Sequence, residues 1–204
     1  MRHLGKPTHL IISVIVVASF VLATFSVIQA FNGDQGKEGF FIKSKIVEYL
    51  KSKKVNASDD KLKTIADRVY EESQEYGVDY RLILAVMKVE SNFKNEAVSR
   101  KGARGLLQIS PSLARHASKN EGITMKGNKS LHEPEKNIKI GVNHMSWLLE
   151  KFENLNTALH AYNVGSYKIR NKASKEYSPD TPFTRKVLNE YNKMLLDLPD
   201  PDEE

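Results

Sequence analysis

The 204-residue chain contains no cysteine. That absence excludes a disulfide framework, a thiol nucleophile, a thiolate metal site and a lipid carried on an N-terminal cysteine. The histidines of the body, His116, His132, His144 and His160, do not fall at metal-ligand spacings such as HExxH, so no metal site is expected. There is no phosphate-binding or dinucleotide-binding glycine motif either, and no cofactor is expected. No stretch alternates apolar and polar residues as a half-buried strand does, and no segment repeats. Charge is missing from particular places. Residues 1–30 hold Arg2 and Lys6 but no acid, and Asp197 to Glu204 hold five acids but no base.

What remains is an ordinary globular composition, 40% apolar and 27% charged. Residues 31–196 carry 29 basic and 20 acidic side chains. Such a body suits an anionic polymer or surface as partner, or else a solvated lysine-rich face. From Leu10 to Ile28 nineteen residues pass without a charge, enough to cross a hydrocarbon core of about 30 Å. Arg2 and Lys6 before the run would hold the N-terminus in the cytoplasm. An uncleaved anchor is the favoured reading of residues 1–30. A signal peptide cut after Ala30 is the alternative, although the run is long for one and Ile28 is bulky near the cut. Either way the body is exported: anchored in the inner membrane facing the cell wall, or secreted.

Residues 31–57 read as a glycine-containing linker and a short basic helix over 41–54. A helical body is expected over 58–196, followed by an acidic tail at 197–204. Ser58, with Asp59 and Asp60 behind it, caps a first helix. Leu62, Ile65, Ala66, Val69 and Tyr70 form its apolar stripe, and Gly77 ends it. Asp79 caps a second helix whose Leu82–Met87 segment is apolar on every side, the mark of a buried helix. Residues 119–131 read as a loop. A long helix begins at Pro134, with Ile138, Val142, Met145, Leu149 and Phe152 on one stripe. Thr157 to Tyr162 is shorter and stops at Gly165, and Pro182 opens a last helix through Leu196. Trp147 falls within the long helix and is expected in the core, with stacking on a sugar as the alternative.

Glu90 does not fit its surroundings. It ends the most apolar helix, where low dielectric and the negative helix terminus both favour the protonated carboxyl. A carboxylic acid kept neutral is what protonation of a glycosidic oxygen requires. Around it stand Glu90-Ser91-Asn92-Phe93, Ser99, Gly102 to Ile109 (GARGLLQI), Pro111, Pro134-Glu135, Asn137-Ile138, Gly141 and Ala161-Tyr162-Asn163. In order and spacing this series resembles the soluble lytic transglycosylase domain family of the lysozyme-like superfamily, over roughly residues 62–190.

The resemblance implies a mainly α, lysozyme-like catalytic domain that cleaves the MurNAc-β-1,4-GlcNAc bond of peptidoglycan. Glu90 would be the single general acid and then base. Ser91 would help hold the leaving group or the acid. Gly105, Leu106, Leu107 and Gln108 would wall the cleft, with the Gln108 amide on the substrate. Tyr162 would donate its hydroxyl to Glu90, and Asn163 would support the same wall. The partner is then the glycan strand of peptidoglycan rather than nucleic acid, with the inner membrane reached through residues 10–28 if the segment is uncleaved. The chain departs from the family pattern at Val164-Gly165-Ser166, where Ala-Gly-Pro is common, and at His132 and His160. Lys101 and Arg104 flank the cleft segment, either to meet stem-peptide carboxylates or as solvated surface.

The reaction expected from one carboxylate is a lyase reaction ending in a 1,6-anhydro sugar, because paired-carboxylate hydrolysis needs a second group about 5–9.5 Å away. Two other readings stay open. One is a goose-type muramidase using Glu96 or Glu121 to activate water. The other is an inactive wall-binding module of a membrane assembly.

Overall fold

The computed structural model describes residues 36–120, 122–169 and 177–201. The chain divides into two units. In the first, residues 1–41, only 36–41 are described, and they are helical. The apolar run Leu10–Ile28, expected to form the anchor or signal helix, lies outside the described residues. Among the described residues no helix is long and apolar enough to cross a membrane.

The second unit, residues 42–204, is mainly α, as expected. Its helices are α1 (residues 42–52), α2 (Asp59–Tyr76), α3 (Tyr80–Ser91), α4 (Pro111–Asn120), α5 (Pro134–Phe152), α6 (Leu155–Val164), α7 (Ser166–Ile169) and α8 (Pro182–Asp197). A 3-10 turn at Asn128–His132 leads into α5. Among the described residues there is no strand. Two isolated antiparallel bridges, Val98 with Arg104 and Arg104 with Ile109, fold the loop between α3 and α4 back on itself.

The helix ends are where local chemistry puts them. The Ser58 hydroxyl accepts from the Lys61 amide, and Gly77 closes α2 in the left-handed conformation at φ 62°. Asp79 accepts from the Arg81 amide at the head of α3. Asn154 and Thr181 cap α6 and α8, and Thr181 shares a reciprocal pair of bonds with Thr184. The α2 stripe, Leu62, Ile65, Ala66 and Val69, is buried, and so is all of Leu82–Met87. α3 packs against α2 and α8, while α5 packs against α2 and α6. The all-round apolar helix thus has neighbours on several sides.

Four features differ from the sequence expectation. The residues read as a basic helix ahead of the body, from Ile42 on, send Ile42, Ile46 and Leu50 into the body's core; the lysines between them obscured that stripe. α4 is a further helix, opened by Pro111 with the Ser110 hydroxyl accepting from the Leu113 amide, and buried through Ala114 and Ala117. The acidic tail begins docked. Tyr80 donates its hydroxyl to the Pro199 carbonyl at 2.6 Å, and Arg81 pairs with Asp200 at 3.1 Å. Trp147, expected in the core, is 42% exposed, because the buried side of α5 is already filled by Ile138, Val142, Met145 and Phe152.

Arg81 ties the start of α3 together. Its buried guanidinium reaches Asp79 at 2.9 Å and Asp200 at 3.1 Å, while Tyr191 of α8 donates to the same Asp79 at 2.7 Å. Removing one member of a buried charge network strands the others. Arg81→Ala is therefore expected to lower stability by about 3 kcal/mol in urea unfolding, with Arg81→Lys recovering only part of it.

Candidate active site

Glu90 lies in the last turn of α3, just after six residues that are 4% exposed or less. Its carboxyl has no hydrogen-bond or ion-pair partner among the described residues. Burial raises its pKa from 4.5 to about 7. A half-buried carboxyl with no described partner favours its protonated form, because burial penalises the anion. The chain turns sharply after it, with Asn92 and Phe93 both at positive φ, 51° and 61°. The ring of Phe93 is anchored edge-on against Tyr49, 6.4 Å away.

The wall facing Glu90 is the loop over residues 97–109, and a single buried amide shapes it. Asn137, in the first turn of α5 and 0% exposed, accepts from the Leu107 amide at 2.8 Å through Oδ1. Its Nδ2 donates to the carbonyls of Arg104 at 2.9 Å and Leu131 at 2.8 Å. Gly105 must be glycine here. It has φ 78°, and a Cβ would stand 2.2 Å from Asn137 Nδ2 and 2.3 Å from the Leu131 carbonyl. Gly141, one helical turn beyond Asn137, admits Leu107 against the α5 backbone, since a Cβ would lie 2.3 Å from Leu107 Cδ1. Sequence reasoning quoted Asn137 and Gly141 but gave them no role. The available signal was a polar residue and a glycine inside an apolar helical stripe.

The sequence-expected residues separate into two groups. Glu90, Gln108, Tyr162 and Asn163 line one groove of about 750 Å³, with Lys101, His144 and Tyr167 on its sides. Ser91, Gly105, Leu106 and Leu107 are buried behind it. The Ser91 hydroxyl is shared between the Met87 carbonyl at 3.1 Å and the Leu106 carbonyl at 2.8 Å, so it fastens the wall to α3. The Gln108 amide donates to the Gly105 carbonyl at 2.9 Å and the Ala97 carbonyl at 3.3 Å, which turns that amino group inward.

Tyr162 also differs in detail from expectation. Its hydroxyl donates to the Leu107 carbonyl at 2.7 Å and not to Glu90. A phenol has one hydrogen, and the carbonyl of the tight loop takes it. The phenol is nevertheless an electrostatic neighbour of Glu90: burial, then the negative charge of Glu90, raise its pKa well above the usual range. Arg104, expected either to meet stem-peptide carboxylates or to be solvated surface, is not among the residues lining the groove. It donates to His132 Nε2 at 3.2 Å, and His132 Nδ1 in turn meets the Asn95 carbonyl at 3.0 Å. Glu96 lies beside His132 and lines a separate cavity with Asn56 and Lys61. Glu121 is outside the described residues. Among the described residues lining the groove, Glu90 is the one carboxylate.

A family model described as the transglycosylase SLT domain matches residues 67–182. The membrane-bound lytic murein transglycosylase C of Haemophilus influenzae is 37% identical over 84 residues, 38% of this chain and 22% of that protein. The enzyme of the same name from Edwardsiella ictaluri is 36% identical over 99 residues, 46% of this chain and 26% of that one. The match thus spans about a quarter of these curated relatives. Among solved structures, an inactive glutamate-to-glutamine mutant of the lytic transglycosylase Slt from Pseudomonas aeruginosa superposes with a TM-score of 0.55. It has 26% identity and covers 65% of this chain and 24% of that one.

Asn137→Ala would leave the Leu107 amide and the Leu131 carbonyl without the Asn137 partner, while the Arg104 carbonyl keeps the Ile109 amide at 2.9 Å. The expected loss is about 3 kcal/mol in denaturant unfolding, since each stranded group costs roughly 1–3 kcal/mol. The raised carboxyl of Glu90 makes a second prediction. Its neutral form carries no penalty below pH 4.5, and stability is lost as pH rises through about 7, where the anion forms in a desolvated site. Glu90→Gln is expected to match the parent in stability at acid pH and to exceed it by roughly 2–3 kcal/mol in alkali.

Proposed function

The chain belongs to the transglycosylase SLT domain family, and on that premise we propose that it is an exported peptidoglycan lytic transglycosylase with Glu90 as its single acid and base. The observation that carries this reading is the groove itself. One half-buried carboxyl with its pKa raised to about 7 faces a wall of backbone and amide groups, and no second described carboxylate lines the groove to activate water.

The chemistry runs on one proton. The neutral Glu90 carboxyl gives its hydrogen to the oxygen linking N-acetylmuramic acid to N-acetylglucosamine, and the C1–O bond breaks with its electron pair on the leaving sugar. The N-acetyl carbonyl of the muramic residue stabilises the cation at C1. Ionised Glu90 then takes the proton of the C6 hydroxyl, whose oxygen closes on C1 as a 1,6-anhydro ring. Glu90 ends protonated, ready for another turnover, and no water is consumed. Tyr162, close enough to feel the charge of Glu90, sets the edge of the site in which that charge comes and goes. Gln108 and Asn163 supply amide groups along the groove, and the Gln108 carbonyl oxygen is the part of that side chain left to meet sugar hydroxyls. The buried Ser91 supports the wall from behind.

The same reading places the body outside the cytoplasm, anchored through residues 10–28 or released after Ala30. The nineteen-residue apolar run and the charges before it support that placement. The hydrolysing, goose-type alternative loses Glu96 as a candidate, because that side chain lies outside the groove.

Digestion of purified sacculi, with the muropeptides weighed by mass spectrometry, is expected to yield anhydro-terminated products. Ends one water heavier would make the enzyme a muramidase. Glu90→Gln is expected to slow release by at least about 100-fold with the fold intact, the scale on which a general acid contributes. An active variant would remove Glu90 from its role.

A further inference from the structure

A second cavity, of about 520 Å³, lies between α4 and α5 beside the Glu90 groove. The two share Leu113, His144 and Ser166 as lining, so one opens alongside the other. Its outer wall is Trp147, the only tryptophan of the chain and 42% exposed. The indole stacks on His144, with centroids 5.8 Å apart and planes 15° from parallel. His144 in turn sits 5.7 Å from the ring of Tyr162. Three rings therefore run in a row from the neighbour of Glu90 to the second cavity.

With the inward side of α5 filled by Ile138, Val142, Met145 and Phe152, the half-exposed indole forgoes part of its apolar burial. Among the described residues, no hydrogen bond engages its N–H. The cavity around it mixes apolar floor, from Leu113, Ala117 and Ile140, with polar groups from His116, Asn143 and Ser166. An apolar face beside fixed polar groups matches a pyranose ring, whose C–H faces pack on aromatics while its hydroxyl edge seeks hydrogen bonds. An anionic peptide would instead call for free cationic groups. Lys151 already lies over that ring at 4.3 Å from its centroid, and burial, then the neighbouring His116, lower the pKa of His144 to about 4, which leaves it an uncharged ring near neutrality.

We propose that Trp147, backed by His144, forms an additional subsite for an N-acetylhexosamine unit of the same glycan strand, outside the groove where the bond is cut. The inference rests on the glycan reading of that groove. It makes the enzyme selective for strands long enough to span both cavities. A sugar packed on the indole face that Lys151 covers would have to displace it.

The single tryptophan makes the test direct. Glu90→Gln protein, which binds without cutting, is titrated with β-1,4-linked N-acetylglucosamine disaccharide and hexasaccharide. Heat and tryptophan emission are followed together. The hexasaccharide is expected to shift the emission. In the same background Trp147→Ala is expected to weaken the hexasaccharide on the order of tenfold, the weight of one aromatic contact, while Trp147→Phe keeps most of the affinity. Unaltered unfolding midpoints establish that both variants fold. Hexasaccharide binding with unchanged emission and undiminished affinity in Trp147→Ala overturns the subsite and leaves the groove reading standing. An emission shift produced by free stem peptide but not by sugar likewise overturns it. If neither oligosaccharide binds Glu90→Gln, the glycan reading of the groove fails, and the subsite with it.

Discussion

The groove depends on one side-chain amide, that of Asn137. Its three hydrogen bonds replace the ladder partners that the loop over residues 97–109 does not have, for among the described residues that loop forms only isolated bridges. A loop held by backbone pairing alone would need a sheet. Here a helix supplies the partner, and two glycines let the backbones approach. Gly105 yields space to the amide, and Gly141 yields space to Leu107. The loop's carbonyls then become fixed points for others. Leu106 receives Ser91 from α3, and Leu107 receives Tyr162 from α6. Asn137 thus sets, through one loop, the relation between the helix that carries Glu90 and the helix that carries Tyr162.

That rigidity matters because the acid itself is held by nothing. Glu90 has no described hydrogen-bond partner, and its proton stays in place through desolvation alone. A carboxyl tuned by partial burial keeps its raised pKa only while the groove walls keep their place beside it. At the far end of α3 the same helix is pinned by Asp79, Arg81, Tyr191 and Asp200. The helix that carries Glu90 is fastened at its head by charge and at its foot by the Ser91 bond, with an apolar body between. Placing the charged network at the end away from Glu90 leaves the carboxyl with no counter-ion among the described residues to lower its pKa.

The aromatic row Tyr162, His144 and Trp147 shows how one helix can serve both the interior and the surface. The stripe Ile138, Val142, Met145 and Phe152 faces the core, while His144 and Trp147 fall on a neighbouring side that looks along the groove. The row joins the acid's surroundings to a second concavity without a break in the lining.

Much of this was legible in the amino-acid order alone. The helical class, the caps at Ser58 and Asp79, the buried α3 segment and the oddity of Glu90 at its end all follow from neighbours within a turn or two, where spacing and dielectric act locally. The ordered motifs were enough to mark Glu90, Gln108 and Tyr162 as groove residues. Other features were decided only when distant segments met. The Tyr162 proton goes to Leu107, the Gln108 amino group turns inward, Arg104 pairs with His132, and Trp147 stays at the surface. Tyr162 and Arg104 find partners far along the chain, while Gln108 settles on carbonyls of its own folded loop; each is a competition among the partners the fold presents. Local sequence determines which groups exist and which helices they ride on, but a single hydrogen or a single ring face goes to whichever neighbour the packing presents.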